Sequence, residues 1–260
     1  MASRQRPRWG TGPAPTHRDV AALAWVGEQY AVRADLLGLL LGRLSPEVPR
    51  TVHAWEYAIG QRAQLPALSE ATVRYHLRRW LRAGWVHPQR ALGRTWIVPT
   101  PRGLALAGAD YRPWGLVPSR LGHVHAVALV RLAIEAANPD AEWISERELA
   151  RLRAQQRGSW WLPDGGLVVA DAAVNGAYPP LHTIEVELTP KHLATLGQVF
   201  EARYPGEVQT TYFTPPGHQE GLRRRLAVLE QAIRARNEPW SRVTVVPLPE
   251  LPGVSYEGAA

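Results

Sequence analysis

The chain has 260 residues and no cysteine, and 45% of its residues are hydrophobic. This composition excludes an intrinsically disordered chain, a disulfide scaffold and a thiolate-held zinc site. The longest apolar stretches are too short to span a bilayer, and the start lacks the apolar segment of a secretory signal. We therefore expect a soluble, cytoplasmic protein without a membrane partner.

Positive charge is concentrated in the first half of the chain. The net charge is +7, but residues 1–120 hold 17 arginines, no lysine and 7 acids, which makes +10. Residues 121–260 hold 13 basic and 16 acidic side chains, which makes −3. This asymmetry is typical of a polyanion-binding domain fused to a second, different domain.

The opening of the chain is rich in Pro, Gly and Arg and predicts a flexible basic arm over residues 1–15. A first domain is predicted over residues 16–109. Thr16 and Asp19 have the spacing of a capping box, which indicates the start of its first helix. The next two helices are predicted over residues 33–42 and 52–63.

The clearest predicted element is a helix from Ser69 to Ala83, capped by the serine and stopped by Gly84. One face carries apolar residues at helical spacing, namely Val73, Leu77, Trp80 and Leu81. The opposite face and its flanks carry the polar and cationic candidates for contact with nucleic acid, namely Thr72, Arg74, Tyr75, Arg78, Arg79 and Arg82.

A short hairpin follows this helix, with strands beginning at Trp85 and Thr95, and a last helix begins at Thr100. Helix, glycine and hairpin in this order predict a winged helix-turn-helix, with Arg90 and Arg94 in the wing beside the DNA backbone. The predicted partner is double-stranded DNA, bound by a homodimer on a two-fold site. The alternative is that the charged face of this helix is only exposed to solvent and contacts no nucleic acid.

A linker over residues 110–120, a second domain over 121–250 and a tail over 251–260 complete the predicted organisation. In the second domain strands and helices alternate, which predicts an α/β architecture around a central mixed sheet. Its predicted elements are helix 124–137, strand 142–145, a helix to 157, hairpin arms 160–162 and 167–170, strand 182–188, helix 190–204, strand 209–213, helix 217–236 and strand 243–248.

Acidic residues and the only lysine of the chain form a second candidate site. In a strand, Glu185 and Glu187 share one face, and Asp164 comes from a neighbouring hairpin. Asp164 and Glu185 are the candidate ligands of Mg²⁺, which prefers oxygen donors. Together with Glu187 and Lys191 they are the candidate catalytic residues, because a bound metal would activate water against a phosphodiester.

Two simpler interpretations of these residues stay open. Asp164-Gly165 is a common turn sequence and needs no metal to explain it. Alternating Glu and apolar residues are also typical of any half-exposed strand, as at 184–188.

With Pro163-Asp164 followed by Glu185-x-Glu187, the order of elements resembles the PD-(D/E)XK restriction-endonuclease-like fold. This resemblance implies that the Asp and the first Glu bind metal and that a lysine assists the attacking water. The position of that lysine is occupied by Glu187, so the pattern departs from the consensus. Lys191 on the following helix is the residue that would substitute for it.

The whole chain after the arm also resembles the replication-relaxation family of winged-helix proteins from actinobacterial plasmids and integrative elements. The resemblance rests on Gly84-Trp85-Val86, the segment from Thr100 to Gly108, the helix of His123, Pro163-Asp164-Gly165, the segment from Glu185 to Lys191, and Val246-Pro247-Leu248-Pro249. It implies a DNA-binding role in the replication, transfer or regulation of a mobile element.

Three functions follow as expectations. The first is sequence-specific DNA binding that needs no cofactor, with the second domain used for dimerisation or DNA gripping. The second is a Mg²⁺-dependent endonuclease or nickase. The third is an adaptor whose acidic half docks a replication or transfer protein.

Overall fold

The structure is a computed structural model that describes residues 13–44, 67–138, 141–169, 179–237, 240 and 242–249. These residues form a mixed α and β protein with a three-stranded and a five-stranded sheet. They divide into two compact units, unit 1 at residues 13–44 and 67–115 and unit 2 from residue 116 onward. Most of the predicted arm, the helix predicted over 52–63 and the tail over 251–260 lie outside the described residues.

Unit 1 combines helices with a small antiparallel sheet whose strands lie in the order β1-β3-β2. Its described elements are α1 (His17–Glu28), β1 (Val32–Arg33), α2 (Leu37–Arg43), α3 (Glu70–Arg82), β2 (Val86–Ala91), β3 (Arg94–Pro99) and α4 (Pro101–Leu106). The helix predicted to begin at Arg33 is wrong at its start, because Arg33 pairs with Trp96 in the sheet. Leu23, Leu40 and Trp80 are fully buried in this unit.

The predicted limits of α3 are confirmed. The Ser69 side chain accepts a hydrogen bond from the Thr72 backbone N–H and so caps the helix. At the other end Gly84 has a φ of +68°, and the Trp85 N–H donates to the Trp80 carbonyl. This is a Schellman ending, which requires a left-handed residue that glycine supplies without strain. It fixes the angle at which β2 leaves the helix.

A close backbone contact joins the last helix of unit 1 to the start of the hairpin. A Cβ at Gly103 would lie 2.0 Å from the carbonyl oxygen of Trp85, so only glycine fits this position of α4. The Thr100 side chain caps the same helix and also donates to the Gly84 carbonyl at 2.6 Å. These contacts hold the β2–β3 hairpin in a fixed position relative to α3.

Unit 2 is built around a mixed sheet with the strand order β4-β5-β6-β7-β8, antiparallel from β4 to β6 and parallel from β6 to β8. Its described elements are α5 (Pro118–Ala137), β4 (Trp143–Ser145), α6 (Glu146–Gln155), β5 (Gly165–Val168), β6 (Leu181–Val186), α7 (Leu193–Glu201), β7 (Glu207–Thr214), α8 (Gln219–Ala235) and β8 (Arg242–Pro247). In the described part of the chain no helix is both long and apolar enough to cross a membrane.

Helices cover both faces of this sheet. Ile184, Val186 and Phe213 pack on one face against apolar residues of α5. Tyr212 and Val245 point to the other face and pack against apolar residues of α7 and α8. Alternate residues of β6 and β7 therefore enter different cores, and the central strands are buried on both sides.

Three predicted elements of unit 2 are wrong in part. Residues 160–162 form no strand, and β5 pairs with β4 and β6 instead of closing a local hairpin. Helix α5 begins at Pro118, inside the predicted linker, because a proline suits the first helical turn. Helix α7 begins at Leu193 with His192 before it, three residues later than the predicted start at residue 190.

Candidate functional site

One side of α3 in unit 1 presents a cationic surface, which we call the arginine face (Arg74, Arg78 and Arg82). All three side chains are exposed, and Tyr75 beside them is 60% exposed. Arg74 pairs with Glu70 one turn earlier at 2.7 Å, and Arg78 donates to the Arg74 carbonyl. Since the Arg74–Glu70 pair is solvent-exposed, it is weak and open to exchange for another anion.

The β2–β3 hairpin adds two further exposed arginines, Arg90 and Arg94. The hairpin closes through the pair Ala91 and Arg94, and its two turn residues, Leu92 and Gly93, have φ values of +50° and +69°. Positive φ at both positions defines a type I′ turn, which matches the twist of the strands. Thr72 lies at the start of α3, where its hydroxyl pairs with that of Ser69 at 2.9 Å.

Arg79 is not part of the exposed surface, so its predicted orientation is wrong. Its side chain is 12% exposed, and its guanidinium binds the Asp19 carboxylate at 2.5 Å and lies over the Trp85 ring. Arg79 shares the buried face of α3 with His76 and Trp80. Leu81, predicted on the apolar face, is partly exposed.

The physical reason is the buried carboxylate of Asp19, which is 0% exposed. It receives hydrogen bonds from the Trp80 indole, from the Thr16 backbone and hydroxyl, and from Arg79. Burial alone raises the pKa of Asp19, but these donors and the Arg79 charge together hold the pKa below its usual value. The capping residue of α1 therefore also anchors α3.

Unit 2 contains the second candidate site, which we call the carboxylate cluster (Asp164, Glu185 and Glu187). Gly165 pairs with Ile184 in the sheet, so Asp164, the preceding residue, lies beside Glu185. Tyr212 is the register partner of Glu185 on the other side. Glu185 and Glu187 are 5% and 3% exposed, so the half-exposed strand expected as the simpler interpretation is wrong.

Asp164 is held by two donors. One oxygen lies 2.7 Å from His123 Nε2, and the other accepts from the Val186 backbone N–H at 2.7 Å. Burial alone lowers the pKa of His123, but the charge of Asp164 and the hydrogen bond to it raise the pKa overall. The turn around Asp164 is therefore more than a hairpin connection, since the side chain ties β5, β6 and α5 together.

Glu187 is paired with the only lysine of the chain. Its carboxylate accepts from the Lys191 backbone N–H at 2.6 Å and forms an ion pair with the Lys191 ammonium. Burial alone lowers the pKa of Lys191, but the charges of Glu185 and Glu187 raise it overall. Lys191 thus lies close to the carboxylates, as predicted, although it precedes α7 instead of lying in its first turn.

Glu185 differs from its two neighbours because its carboxylate makes no hydrogen bond or ion pair with the described residues. It lies on the wall of a small, partly open pocket whose walls include Trp161, Phe200 and Tyr204. Burial and the charges of Asp164 and Glu187 raise its pKa well above the usual value, against the opposing charge of Lys191. Burial thus shifts the equilibrium of this carboxyl group toward the neutral acid.

Within the cluster, His123 pairs with Asp164 and Lys191 pairs with Glu187, while burial favours the neutral form of Glu185. In the described residues no group of three or more His, Asp or Glu side chains is arranged to hold a metal ion. Asp164 and Glu185, the predicted Mg²⁺ ligands, are neighbours across β5 and β6, and each oxygen of Asp164 already has one partner, His123 or the Val186 N–H.

His123 and Asp19 are the residues that sequence reasoning did not select as site or anchor residues. His123 is 41 residues from Asp164, and no local spacing connects a helix residue to a turn so far along the chain. The burial of Asp19 was not predicted either, because a role in the capping box of α1 already accounted for an acid at this position.

No family model, curated protein or solved structure matches the chain.

Proposed function

We propose that unit 1 is a winged helix-turn-helix that binds double-stranded DNA, with α3 as recognition helix and the β2–β3 hairpin as wing. The observation that carries the proposal is the division of arginines on α3. Arg79 fixes the helix to α1 through a buried ion pair, while Arg74, Arg78 and Arg82 stay exposed on the other side. A rigid helix with an outward cationic face is what insertion into a major groove requires.

The hairpin supports the same proposal, because Arg90 and Arg94 extend the cationic surface beyond the helix. Contacts of this kind to phosphates displace bound counterions and provide most of the sequence-independent affinity. Tyr75, exposed in the same surface, would add contacts to a base edge or a sugar.

Replacing Arg78 and Arg82 together by alanine is expected to weaken DNA binding about 10–100-fold at low salt. The slope of log K against log salt concentration should fall by about two, since about one unit is lost with each phosphate contact. Fluorescence anisotropy with duplexes from a randomised pool, over a salt series, measures both quantities. Selected sites with inverted repeats would support the homodimer.

The matched control replaces Arg224 and Arg234 together by alanine, which removes two exposed arginines from α8 of unit 2 and should change affinity and slope much less. Equal effects of the two changes would show that DNA binding depends on the total positive charge of the protein and not on the arginine face. Absence of binding by the unmodified protein at very low salt would overturn it.

For unit 2 we propose a restriction-endonuclease-like domain that serves dimerisation or DNA gripping without chemistry. Support comes from a mixed sheet covered by helices on both faces and from a carboxylate cluster in which Asp164 pairs with His123 and Glu187 pairs with Lys191. The whole protein would then act in the replication, transfer or transcription control of a plasmid or integrative element. Docking of a replication or transfer protein on unit 2 is a further role within this proposal.

A metal-dependent endonuclease or nickase is the second candidate, and one observation favours it. Glu185 is buried beside Asp164 without a hydrogen-bonding partner among the described residues. Burial raises its pKa, and strongly shifted pKa values cluster at functional sites.

Incubation of supercoiled plasmid with the protein and Mg²⁺ or Mn²⁺ separates the two candidates. We expect no cleavage by the unmodified chain or by Glu185→Gln. Cleavage that Glu185→Gln abolishes would contradict a domain without chemistry, and intact plasmid with both ions would exclude the nuclease candidate.

A further inference from the structure

We propose that Leu92, at the tip of the β2–β3 hairpin, is an apolar wedge that enters the minor groove of the bound duplex. This inference rests on the DNA binding proposed for unit 1 and assigns to the hairpin a contact that phosphate binding by arginine does not provide.

Leu92 is an unfavourable residue for the turn that it occupies. It is the first of the two turn residues, with a φ of +50°, and a type I′ turn favours Asn, Asp or Gly there because a Cβ is crowded in the left-handed region. Gly93 meets the same requirement without strain at the second position. A hairpin selected for folding alone would begin this turn with asparagine or glycine.

Its side chain is also placed unfavourably in the free protein. Leu92 is 55% exposed, so an apolar side chain stands in solvent at the end of a hairpin. Folding of the hairpin therefore gains neither a relaxed backbone nor full burial from this leucine. A strained backbone combined with an exposed apolar side chain indicates a role that is completed by a partner.

The neighbouring charges identify the partner. Arg90 and Arg94 lie two residues before and two residues after Leu92, and both are exposed. The minor groove is narrow and strongly negative, and arginine side chains are attracted into it. Apolar side chains delivered between flanking cations insert between base steps, partly unstack them and bend the duplex toward the major groove.

The test compares the full chain with Leu92→Asn and Leu92→Phe on a short mixed-sequence duplex that carries a fluorophore at each end. Leu92→Asn relieves the turn, so the unfolding temperature should rise by about 2–4 °C. The same change should weaken DNA binding about tenfold and reduce bending, measured by energy transfer between the ends. Leu92→Phe keeps an apolar tip and should retain both binding and bending.

Val228→Asn is the matched control, because Val228 is 52% exposed on α8 of unit 2 and is not part of the hairpin. It should leave binding and bending unchanged. If Leu92→Asn binds and bends the duplex as the unmodified chain does, Leu92 is no wedge although DNA binding stands. If the unmodified chain binds no duplex, the function proposed for unit 1 fails and the wedge fails with it.

Discussion

Replacement of Asp19 by alanine is expected to lower the free energy of unfolding of unit 1 by about 3–5 kcal/mol. The carboxylate is fully buried and accepts hydrogen bonds from Trp80, Thr16 and Arg79. With alanine at position 19, the Arg79 guanidinium, which is 12% exposed, and the buried Trp80 indole N–H lose their carboxylate acceptor. A buried donor left without an acceptor costs more free energy than the original hydrogen bond contributed. Urea denaturation followed by tryptophan fluorescence measures the change.

Glu70→Ala is the matched control for this prediction, since it removes an acid that also pairs with an arginine of α3 but is highly exposed. Its effect should stay below about 0.5 kcal/mol. Similar losses for the two substitutions would show that Asp19 is not the anchor of α3.

The stabilisation by Asp19 should also depend on pH. The pKa of this carboxyl is lower in the folded protein than its usual value, so unfolding takes up a proton. The contribution is therefore complete above about pH 4 and is lost as the pH falls through the lower, folded-state pKa. Asp19→Asn, which cannot titrate, should remove this part of the acid dependence.

Replacement of Glu185 by glutamine is expected to stabilise unit 2 at neutral pH by about 1–2 kcal/mol, although it removes a charge from a cluster that resembles an active site. Glutamine resembles the neutral acid that the site favours. Because the pKa of Glu185 is raised in the folded state, the unmodified protein releases a proton on unfolding. Its stability should therefore decrease as the pH rises above about 4.3, until the raised pKa is passed.

The difference between Glu185→Gln and the unmodified chain should accordingly be absent near pH 4 and grow with pH in denaturation curves. Glu187→Gln is the matched control, on the same face and two residues away. Its carboxylate pairs with Lys191, so the same substitution there should destabilise the protein. A destabilising Glu185→Gln at neutral pH would contradict a protonated Glu185 and would indicate an unrecognised cation or donor.

Asp19 and Glu185 are both buried carboxyl groups, but their pKa values are shifted in opposite directions. Donors from α1 and α3 surround Asp19 and favour its charged form, whereas Glu185 has no donor among the described residues and burial favours its neutral form. A carboxylate transferred from water must be paired or must take up a proton. The number of donors that the fold brings to each site determines the outcome.

The sequence alone determined the local elements of the chain. Ser69 and Gly84 defined the limits of α3, Thr16 and Asp19 defined the start of α1, and the strand predicted around Glu185 corresponds to β6, which ends one residue before Glu187. These features depend on capping, turn chemistry and the twofold repeat of a strand, all of which act within a few residues.

Tertiary structure alone decided which charges are available. Arg79 is absent from the exposed face of α3 because it pairs with Asp19, 60 residues away in the sequence. His123 likewise pairs with Asp164, from which it is separated by 41 residues. Tertiary structure also paired β5 with β4 and β6 where a local hairpin was expected. Burial, charge neutralisation and strand pairing depend on residues distant in the chain, and no spacing within a single segment specifies them.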